Sequence, residues 1–395
     1  MMKTKQFSLK LPKGRDISIQ LAMIGLMIIG LVMSGSAAMT SDVQLFDILL
    51  VIVKQIIFLS LGYVGYVWFS KHFELDFFRR HYFLIMFFSF VFAIIPLFFP
   101  EINGAKAWIP IPLPFIKFSI QPSEFLKMIA VIILAVYLGD VKVAKAKRGQ
   151  LLKMPLFFIG GLLFIIAILQ SDLGSAVVML GMCALVFLLS TAPSIRGIQW
   201  SVLIGFAGFL ILAGLLLTDF GLNLIRGLGI PEYMVNRFEN TVDPFINRYG
   251  TGYQLVSSLM AFVKGNWFGV GFGKSLQKYG YLPAAQTDFI LAIIAEEIGF
   301  LGVIAVTGLT LFIVVKIFIA AYKTNQDAHK MILSGVAYYL LLHFILNVGG
   351  VTALIPLTGV PLLLISSGGS SILSIMFALG IAQRLLSLQK AEIKP

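Results

Sequence analysis

The sequence predicts an all-α protein that crosses a membrane about ten times, with one large polar loop between the seventh and eighth spans. Three observations support this fold class. Apolar residues make up 59% of the 395 residues and charged residues only 12%, whereas soluble domains carry roughly 25% charged residues. Mean hydropathy is +0.96. Long apolar segments follow one another along the chain, and a polar, aromatic and glycine-rich stretch at residues 219–286 interrupts them.

Each predicted span is an apolar segment close to the ~20 residues that cross a bilayer as a helix. The segments are residues 17–38, 45–69, 82–99, 123–139, 154–170, 173–190, 199–218, 288–322, 331–353 and 363–386. Only Gln170, Ser171 and Asp172 separate the fifth from the sixth, so a short outward turn is expected there, with a polar N-cap on the sixth span. The eighth is too long for a simple crossing and is expected to protrude or tilt strongly.

Lysine and arginine are unequally shared between the two sides of the membrane. Most of the 30 basic residues fall in segments that an even number of spans places on the same side as both termini. By the positive-inside rule, the N-terminal residues 1–16 and C-terminal residues 387–395 should be cytoplasmic, and loop 219–286 should face outward. The net charge of +12 is then explained mainly by loops beside anionic membrane lipid, without a nucleic-acid partner.

Several function classes are excluded or disfavoured by residues that are missing or scattered. Cys183 is the single cysteine, so an intramolecular disulfide and a thiolate metal site are excluded. The histidines are too dispersed for a metal cluster, and for His343 a satisfied hydrogen bond between helices is favoured over a functional role. No P-loop motif occurs, which excludes pumping driven by ATP hydrolysis in this chain. The sequence predicts one membrane domain, residues 1–395, without a separate soluble domain.

The fourth span opens with charged residues that are costly inside a membrane. Pro122 and Glu124 suit the first helical turn, and Glu124 and Lys127 lie three residues apart, where they can pair. This arrangement fits either a helix start with a local ion pair or a cavity on a ligand path. Asp172 at the start of the sixth span is similarly explained as a helix cap or as a site residue.

The eighth and tenth spans also begin with polar groups. Thr287 is expected to cap the eighth span with Asp288 in its first turn. Glu296 and Glu297 lie deeper in the same apolar segment, which suggests an aqueous cavity or a partner such as Lys127. In the stretch from Pro356 to Ser371, which includes Ser370, small residues favour close helix packing over a backbone nest for an anion.

Asp243 lies in the large loop, where Asp-Pro is an ordinary turn dipeptide. Arg237, Arg248 and Lys264 lie in the same loop. Cationic groups around a carboxylate suit a site that handles a phosphate-bearing substrate. A structural turn and a catalytic carboxylate are therefore the two interpretations of Asp243.

Eight motifs in this order resemble the SEDS family over essentially the whole chain. They are Asn103-Gly-Ala-Lys-Ala-Trp108, Gln121-Pro-Ser-Glu124, Asp172-Leu-Gly174, Asp243-Pro-Phe with Gly252-Tyr-Gln254, Gly269-Val-Gly271-Phe-Gly273, Tyr281-Leu-Pro283 with Thr287-Asp-Phe289, Glu296-Glu-Ile-Gly299 and Gly368-Gly-Ser-Ser371. The Asp-Pro-Phe and Thr-Asp-Phe stretches look closest to the FtsW branch. The sequence departs from the pattern of many members at two positions, with Gln286 in place of His and Ser367 in place of Tyr. Both departures look like the Gram-positive type of that branch.

The resemblance implies a peptidoglycan glycosyltransferase in the bacterial plasma membrane that polymerises lipid II, with a septal role in cell division. Asp243 would be the general base and undecaprenyl pyrophosphate the leaving group. The implied partners are a class B penicillin-binding transpeptidase, other divisome proteins and membrane lipid. Nucleotide sugars and ATP are not available outside the membrane, so an outward-facing transferase needs a donor activated by a lipid-linked pyrophosphate.

The residues assigned to the substrate follow from the same resemblance. Basic groups, or a divalent cation such as Mg²⁺ or Mn²⁺, would neutralise the donor pyrophosphate. The basic candidates are Arg237, Arg248, Lys264 and Lys274, and the residues expected to shape the cavity are Glu124, Lys127, Asp288, Glu296, Glu297 and Ser370.

Two other functions remain open at the level of sequence. A lipid II flippase suits the intramembrane charges, although the one-sided outward loop and the absence of paired half-repeats favour catalysis. A divisome scaffold without activity is the third alternative. The sequence leaves open the septal or elongation role, the identity of the transpeptidase, the metal requirement, the donor and acceptor subsites, the activation mechanism and the oligomeric state.

Overall fold

The computed structural model describes residues 11–39, 44–102, 104–112, 117–139, 148–227, 232–282 and 284–393. In this part of the chain the protein is helical apart from turns and a two-stranded hairpin. Parts of the sequence predictions fall outside the described residues, namely residues 1–10, Asn103, residues 228–231 of the large loop, Pro283 and residues 394–395.

The helices are numbered in chain order. They are α1 (Ile17–Ala37), α2 (Leu45–His72), α3 (Leu75–Ile94), α4 (Pro122–Leu138), α5 (Arg148–Phe164), α6 (Leu173–Phe187), α7 (Arg196–Leu216), α8 (Asp219–Gly227), α9 (Glu232–Val242), α10 (Tyr253–Gly265), α11 (Ile290–Ile298), α12 (Phe300–Lys323), α13 (Asp327–Val351) and α14 (Gly369–Ile393). Helix α3 continues as a 3₁₀ turn at Ile95–Phe98, and α5 continues as a π turn at Ile165–Leu169.

Eight helices among the described residues are long and apolar enough to cross a membrane, so the chain is a multi-pass membrane protein. The shorter helices α4 and α6 occupy the predicted fourth and sixth spans. The exact count of ten spans stays a prediction. The description of the eighth span as one long, protruding or tilted helix is wrong, because residues 288–322 form two helices.

The break between α11 and α12 lies at Gly299, whose φ of 82° is in the left-handed region that favours glycine. A break leaves the last carbonyls of one helix and the first N–H groups of the next without helical partners. Here Glu296 O accepts from the Val270 N–H at 2.9 Å, and Asn266 O accepts from the Phe300 N–H at 2.8 Å. The chain that follows α10 therefore satisfies the broken backbone, as a membrane protein requires.

Helix starts follow the expected capping chemistry in three places. Asp16 caps α1 by accepting from the N–H groups of Ser18 and Ile19. Pro122 occupies the first turn of α4, as predicted. Asp172 accepts from the Ser175 N–H at 3.0 Å, which confirms both the cap and the short turn before α6.

The centre of the molecule is formed by α13 and α14, which pack against α2, α4, α6 and α12. Helix α7 lies at the periphery, with no buried residue. A Cβ at Gly369 would lie 2.7 Å from the Phe58 ring, and one at Gly380 would lie 2.5 Å from the Tyr66 carbonyl oxygen. These glycines let α14 approach α2 closely, which confirms the packing interpretation of the small residues at Gly369.

The first and last described segments of the chain lie together. The Gln383 side chain accepts from the Asp16 N–H at 2.8 Å and donates to the Asp16 carbonyl at 3.0 Å, and Ser387 Oγ donates to the Lys13 carbonyl at 2.8 Å. Because these contacts involve the last turns of α14, the helix starts at the opposite end of the molecule. We call that opposite end the distal end.

A hairpin at the distal end was not predicted from the sequence, which indicated only a loop at 100–122. Strands β1 (Ile109–Pro112) and β2 (Lys117–Ile120) pair antiparallel, with Ile109 opposite Ile120. Ser119 O accepts from Ser370 Oγ at 3.4 Å at the start of α14. The hairpin therefore packs beside the start of the central helix.

Candidate active site

The polar stretch between α7 and α11 contains three short helices rather than an open loop. Arg226 of α8 forms an ion pair with Glu239 of α9 at 2.7 Å. Ser258 in α10 donates to the Val351 carbonyl at the end of α13 at 2.7 Å. This stretch is therefore attached to the distal end of the membrane helices.

Asp243 follows the last turn of α9 and is exposed. Its Oδ1 accepts from the Phe245 N–H at 2.9 Å, which is the local turn expected of an aspartate before proline. Within the described residues, Oδ2 has no hydrogen-bond donor. The turn interpretation is thus confirmed locally, and the second oxygen remains able to accept a proton from a bound molecule.

The chain after Asp243 is held in a fixed shape. Asn240 Nδ2 donates to the Thr251 carbonyl at 2.8 Å, and Thr251 Oγ1 donates to Asn240 Oδ1 at 3.2 Å. A Cβ at Gly252 would lie 2.2 Å from the Pro244 carbonyl oxygen, so a residue other than glycine cannot be accommodated without backbone movement. These contacts keep the turn folded back on α9.

A pocket of about 430 Å³ lies between this turn, α10 and the glycine-rich segment, which we define as residues 269–281. Its walls combine cationic, aromatic and aliphatic side chains. They are Phe245, Arg248, Tyr249, Tyr253, Val256, Ser257, Met260, Lys264, Leu276, Gln277 and Tyr281. Two of the basic residues singled out from the sequence, Arg248 and Lys264, thus share one pocket.

Glu296 and Glu297 point into the glycine-rich segment rather than into a water-filled cavity. Glu296 accepts from the Leu276 and Gln277 N–H groups at 3.1 and 3.2 Å and from the Ser275 hydroxyl. Glu296 is 0% and Glu297 1% exposed. Their contacts fix the position of a segment that forms one wall of the pocket.

Lys278 is the ion-pair partner of Glu297, at 2.9 Å. It also donates to Ser36 of α1 at 3.1 Å and to the Gly273 carbonyl at 2.8 Å. The suggestion that Lys127 could pair with these glutamates is wrong, because Lys127 is engaged elsewhere. A buried charge needs a close opposite charge and hydrogen bonds, and here Lys278, 19 residues earlier in the chain, supplies them.

Glu124 and Lys127 form a second buried cluster, separate from the pocket. They pair at 2.6 Å, as the i, i+3 spacing predicted. Glu124 also accepts from the Tyr339 hydroxyl at 2.6 Å, and Lys127 Nζ lies 3.2 Å from His343 Nε2. His343 Nδ1 lies 3.2 Å from the Pro361 carbonyl. The interpretation of His343 as a hydrogen-bonded residue between helices is confirmed.

Asp288 lies just before α11, outside the eight long apolar helices. Burial raises the pKa of its carboxyl to about 6. Thr287 does not cap a helix, contrary to expectation: α11 begins at Ile290, and the Thr287 hydroxyl donates to the Ala284 carbonyl.

The remaining candidates occupy other positions. Ser370 Oγ accepts from the Gln121 N–H at 2.9 Å, and Gln121 donates to Asp172 at 2.7 Å, so Ser370 joins the starts of α4 and α14. Lys274 is exposed on the glycine-rich segment and does not line the pocket.

Sequence reasoning missed two residues that the structure makes central: Lys278 and Tyr339. A lysine inside a glycine-rich stretch and a tyrosine inside an apolar helix give no distinctive local signal. Their partners lie 19 residues away, for Lys278 and Glu297, and 215 residues away, for Tyr339 and Glu124. Only the packing of distant segments identifies them.

The resemblance also implied a divalent cation, which would need side chains that can act as its ligands. In the described part of the chain, no three His, Cys, Asp or Glu residues converge as metal ligands. These side chains alone do not fit a resident metal centre, and no step proposed below depends on one.

The fold and site together define a polytopic helical membrane protein with an exposed carboxylate and a cationic, aromatic pocket at its distal end. The family model of the cell cycle proteins FtsW, RodA and SpoVE matches residues 17–391. The chain belongs to this family.

Individual proteins agree with that assignment. A probable peptidoglycan glycosyltransferase FtsW of Coxiella burnetii is 33% identical over 381 residues, covering 94% of this chain and 95% of that protein. Stage V sporulation protein E of Bacillus subtilis is 31% identical over 376 residues, covering 93% and 95%. A solved chain of a peptidoglycan synthase complex matches with a TM-score of 0.71 and 24% identity, covering 96% of this chain and 99% of that one. The last similarity supports the fold.

Proposed function

We propose that the chain is a peptidoglycan glycosyltransferase that polymerises lipid II at the outer face of the bacterial plasma membrane. The family assignment and relatives named as peptidoglycan glycosyltransferases support the enzyme class. The observation that carries the site assignment is the exposed Asp243, whose Oδ2 has no donor among the described residues, in a rigid turn beside a pocket with two cations.

Asp243 is the general base in this proposal. Its Oδ2 takes the proton from the acceptor sugar's 4-hydroxyl while that oxygen attacks the anomeric carbon of the donor. The new glycosidic C–O bond forms as the bond from the anomeric carbon to the pyrophosphate oxygen breaks. Undecaprenyl pyrophosphate leaves with the bonding electron pair. Oδ1 remains hydrogen-bonded to the Phe245 N–H and keeps the carboxylate oriented.

The other candidate residues act at a distance from the reacting atoms. Glu296 and Glu297 hold the wall of the pocket in place, since they accept hydrogen bonds from the glycine-rich segment. Glu124 and Lys127 join α4 to α13 through Tyr339 and His343. We assign all four to positioning rather than to contact with substrate.

The proposed setting follows from charge distribution and family. The chain termini are cytoplasmic and the distal end faces outward, because basic residues concentrate on the side of the termini. The similarity to FtsW relatives supports a role in septal synthesis during cell division. A class B penicillin-binding transpeptidase is the proposed partner, in line with the fold match to a complex that both polymerises and crosslinks.

Asp243→Asn tests the assignment of the base. General-base action typically contributes about 10²–10⁴ in rate, so this variant should lose at least about 99% of its polymerisation. The measurement is glycan-chain synthesis from lipid II by purified protein with its transpeptidase. The melting temperature and transpeptidase binding should be unchanged, because the Phe245 N–H can still donate to the amide oxygen.

Asp219→Asn is a matched control, since Asp219 lies in the first turn of α8, outside the pocket, and should keep normal activity. Normal glycan chains from Asp243→Asn would exclude Asp243 as the base. The same proteins in vesicles separate the alternatives: lipid II translocation without glycan synthesis would indicate a flippase. Normal growth of cells that carry only Asp243→Asn would indicate a scaffold.

A further inference from the structure

Two cations in the pocket have no ion-pair partner within the part of the chain that the structure describes. The described ion pairs of this region are Arg226 with Glu239 and Lys278 with Glu297. Among the described residues, no carboxylate lies within ion-pair distance of Arg248 or Lys264, although both line the same pocket. Two cations that line one pocket favour an anionic ligand there, because each is attracted to the opposite charge.

The pocket has walls suited to more than a small inorganic anion. The Arg248 guanidinium lies 4.6 Å from the centre of the Tyr249 ring, and Phe245, Tyr253 and Tyr281 add further aromatic surface. Its volume of about 430 Å³ lies within the range of roughly 300–1,000 Å³ typical of small-molecule sites. Such a pocket accommodates a sugar diphosphate head group, while a long hydrocarbon chain must remain outside.

The walls are rigid elements rather than mobile side chains. Leu276 and Gln277 are fixed by Glu296 through their backbone N–H groups. Helix α10, which carries Lys264, is fixed by Ser258 and by the close approach of Gly265 to the Ala295 carbonyl. The backbone of Lys264 is thus fixed relative to the opposite wall before any ligand binds, which lowers the entropic cost of binding.

The other basic residues of the large loop are unsuitable for this task. Arg237 is exposed and does not line the pocket, and Lys278 is buried against Glu297. Lys274 is exposed and does not line the pocket either. The geometry therefore separates Arg248 and Lys264 from the wider set of basic candidates.

We propose that Arg248 and Lys264 bind the pyrophosphate of the polyprenyl-linked substrate, with the attached sugar against the aromatic wall of the same pocket. This subsite rests on the proposed glycosyltransferase function and adds the residues that hold the anion. Phe245, two residues after Asp243, forms part of the wall, so the pocket adjoins the proposed base.

Binding should be measured in the Asp243→Asn background, where the substrate is not consumed. Protein in nanodiscs of neutral phospholipid is titrated with lipid II, undecaprenyl pyrophosphate, undecaprenyl phosphate and phosphatidylglycerol. Arg248→Gln and Lys264→Gln should each weaken binding of lipid II and undecaprenyl pyrophosphate at least about tenfold, since each removes a charge-assisted hydrogen bond to the pyrophosphate. Arg248→Lys and Lys264→Arg keep the charge and should retain most of the affinity.

Lys106→Gln is the matched control, because Lys106 is an exposed cation outside the pocket; its affinity should stay within about twofold of the parent. Parent-like binding by both Gln variants would overturn the subsite. Equal, pocket-dependent competition by phosphatidylglycerol would also overturn it in favour of a general anionic-lipid site. The melting temperature of each variant shows whether a loss of affinity comes from misfolding. If a Gln variant is misfolded, the affinities of Arg248→Lys and Lys264→Arg test the subsite, and a loss of affinity in these folded variants would overturn it.

The proposed function is tested separately by polymerisation with the unmodified protein. If the unmodified protein polymerises lipid II but the Gln variants bind it like the parent, the proposed subsite is wrong and the glycosyltransferase function is supported. If binding depends on Arg248 and Lys264 but the unmodified protein forms no glycan chains, the subsite is supported and the proposed glycosyltransferase function is wrong.

Discussion

At the scale of single residues, buried charge is concentrated where the glycine-rich segment meets α11. Glu297 accepts from the Gly273 N–H at 3.0 Å and pairs with Lys278 at 2.9 Å. Ser36 of α1 donates to the same carboxylate at 2.7 Å. One carboxylate thereby joins a helix, a loop and a distant membrane span, which makes its charge balance important for stability.

Lys278→Met should lower stability strongly, because it leaves the Glu297 charge buried without its partner. Breaking a buried ion pair on one side costs about 3–5 kcal/mol, and differential scanning fluorimetry in detergent would show a large fall in melting temperature. Lys274→Met, a few residues earlier and exposed, is the matched lysine control and should change it little. The double variant Lys278→Met, Glu297→Gln removes both charges and should recover part of the loss. A parent-like melting temperature for Lys278→Met would contradict the importance of the pair.

At the scale of elements, the crossing of α10 with the α11–α12 break depends on glycine. Gly265 packs directly on the Ala295 carbonyl, and Gly269 packs on the Glu297 carbonyl. Backbone this close lets the chain after α10 supply the hydrogen bonds that the broken helix lacks. The pocket wall and the helix break are therefore one structural unit.

Gly265→Ala should destabilise this unit, since its Cβ would lie 1.7 Å from the Ala295 carbonyl oxygen. Relief requires backbone movement, and overpacking of this kind costs about 1–3 kcal/mol or more. Gly308→Ala in α12 is the control, because nothing lies within 4 Å of its Cβ. The expected result is a clear fall in melting temperature and in lipid II affinity for Gly265→Ala alone. Equal behaviour of the two variants would show that the crossing is looser than described.

At the scale of the whole molecule, the central helix α14 connects the two ends of the protein. It begins beside the hairpin and the start of α4, where Ser370 binds the Gln121 N–H. It ends against the N-terminal segment, where the buried Gln383 binds both backbone groups of Asp16. Contacts at both ends hold the bundle around a helix that is itself almost fully enclosed.

Gln383→Leu should weaken the attachment of the N-terminal segment to α14, because the Asp16 N–H loses its partner and the Asp16 carbonyl keeps only the Gln20 N–H, at 3.4 Å. An unsatisfied buried polar group costs about 1–3 kcal/mol. A lower melting temperature and faster proteolysis near Lys13 would report the loss. Gln326→Leu removes one exposed contact with Glu392 and should change stability by less than about 0.5 kcal/mol. Resistance to proteolysis equal to that of the parent would contradict the role of Gln383.

Structural features that depend on residues close together in the sequence were predictable, and features that depend on residues distant in the sequence were not. The caps at Pro122 and Asp172 and the Glu124–Lys127 pair were predictable, because each depends on residues within three positions. The partner of Glu297, the hairpin at 109–120 and the break at Gly299 were not. The partner of Glu297 and the hairpin depend on contacts with segments that are distant in sequence. The break depends on the backbone conformation of Gly299, and nothing in the sequence distinguishes this glycine from the other glycines among the 37.

The candidate site shows the same division. The sequence by itself determined a multi-pass helical protein, its polar region and the resemblance that singled out Asp243, because hydropathy and motifs are local properties. Only the tertiary structure decided that Arg248 and Lys264 share a pocket while Arg237 lies outside it and Lys278 is buried against Glu297. All four cations lie within one stretch of sequence, and their different environments arise from the helices against which each part of that stretch packs.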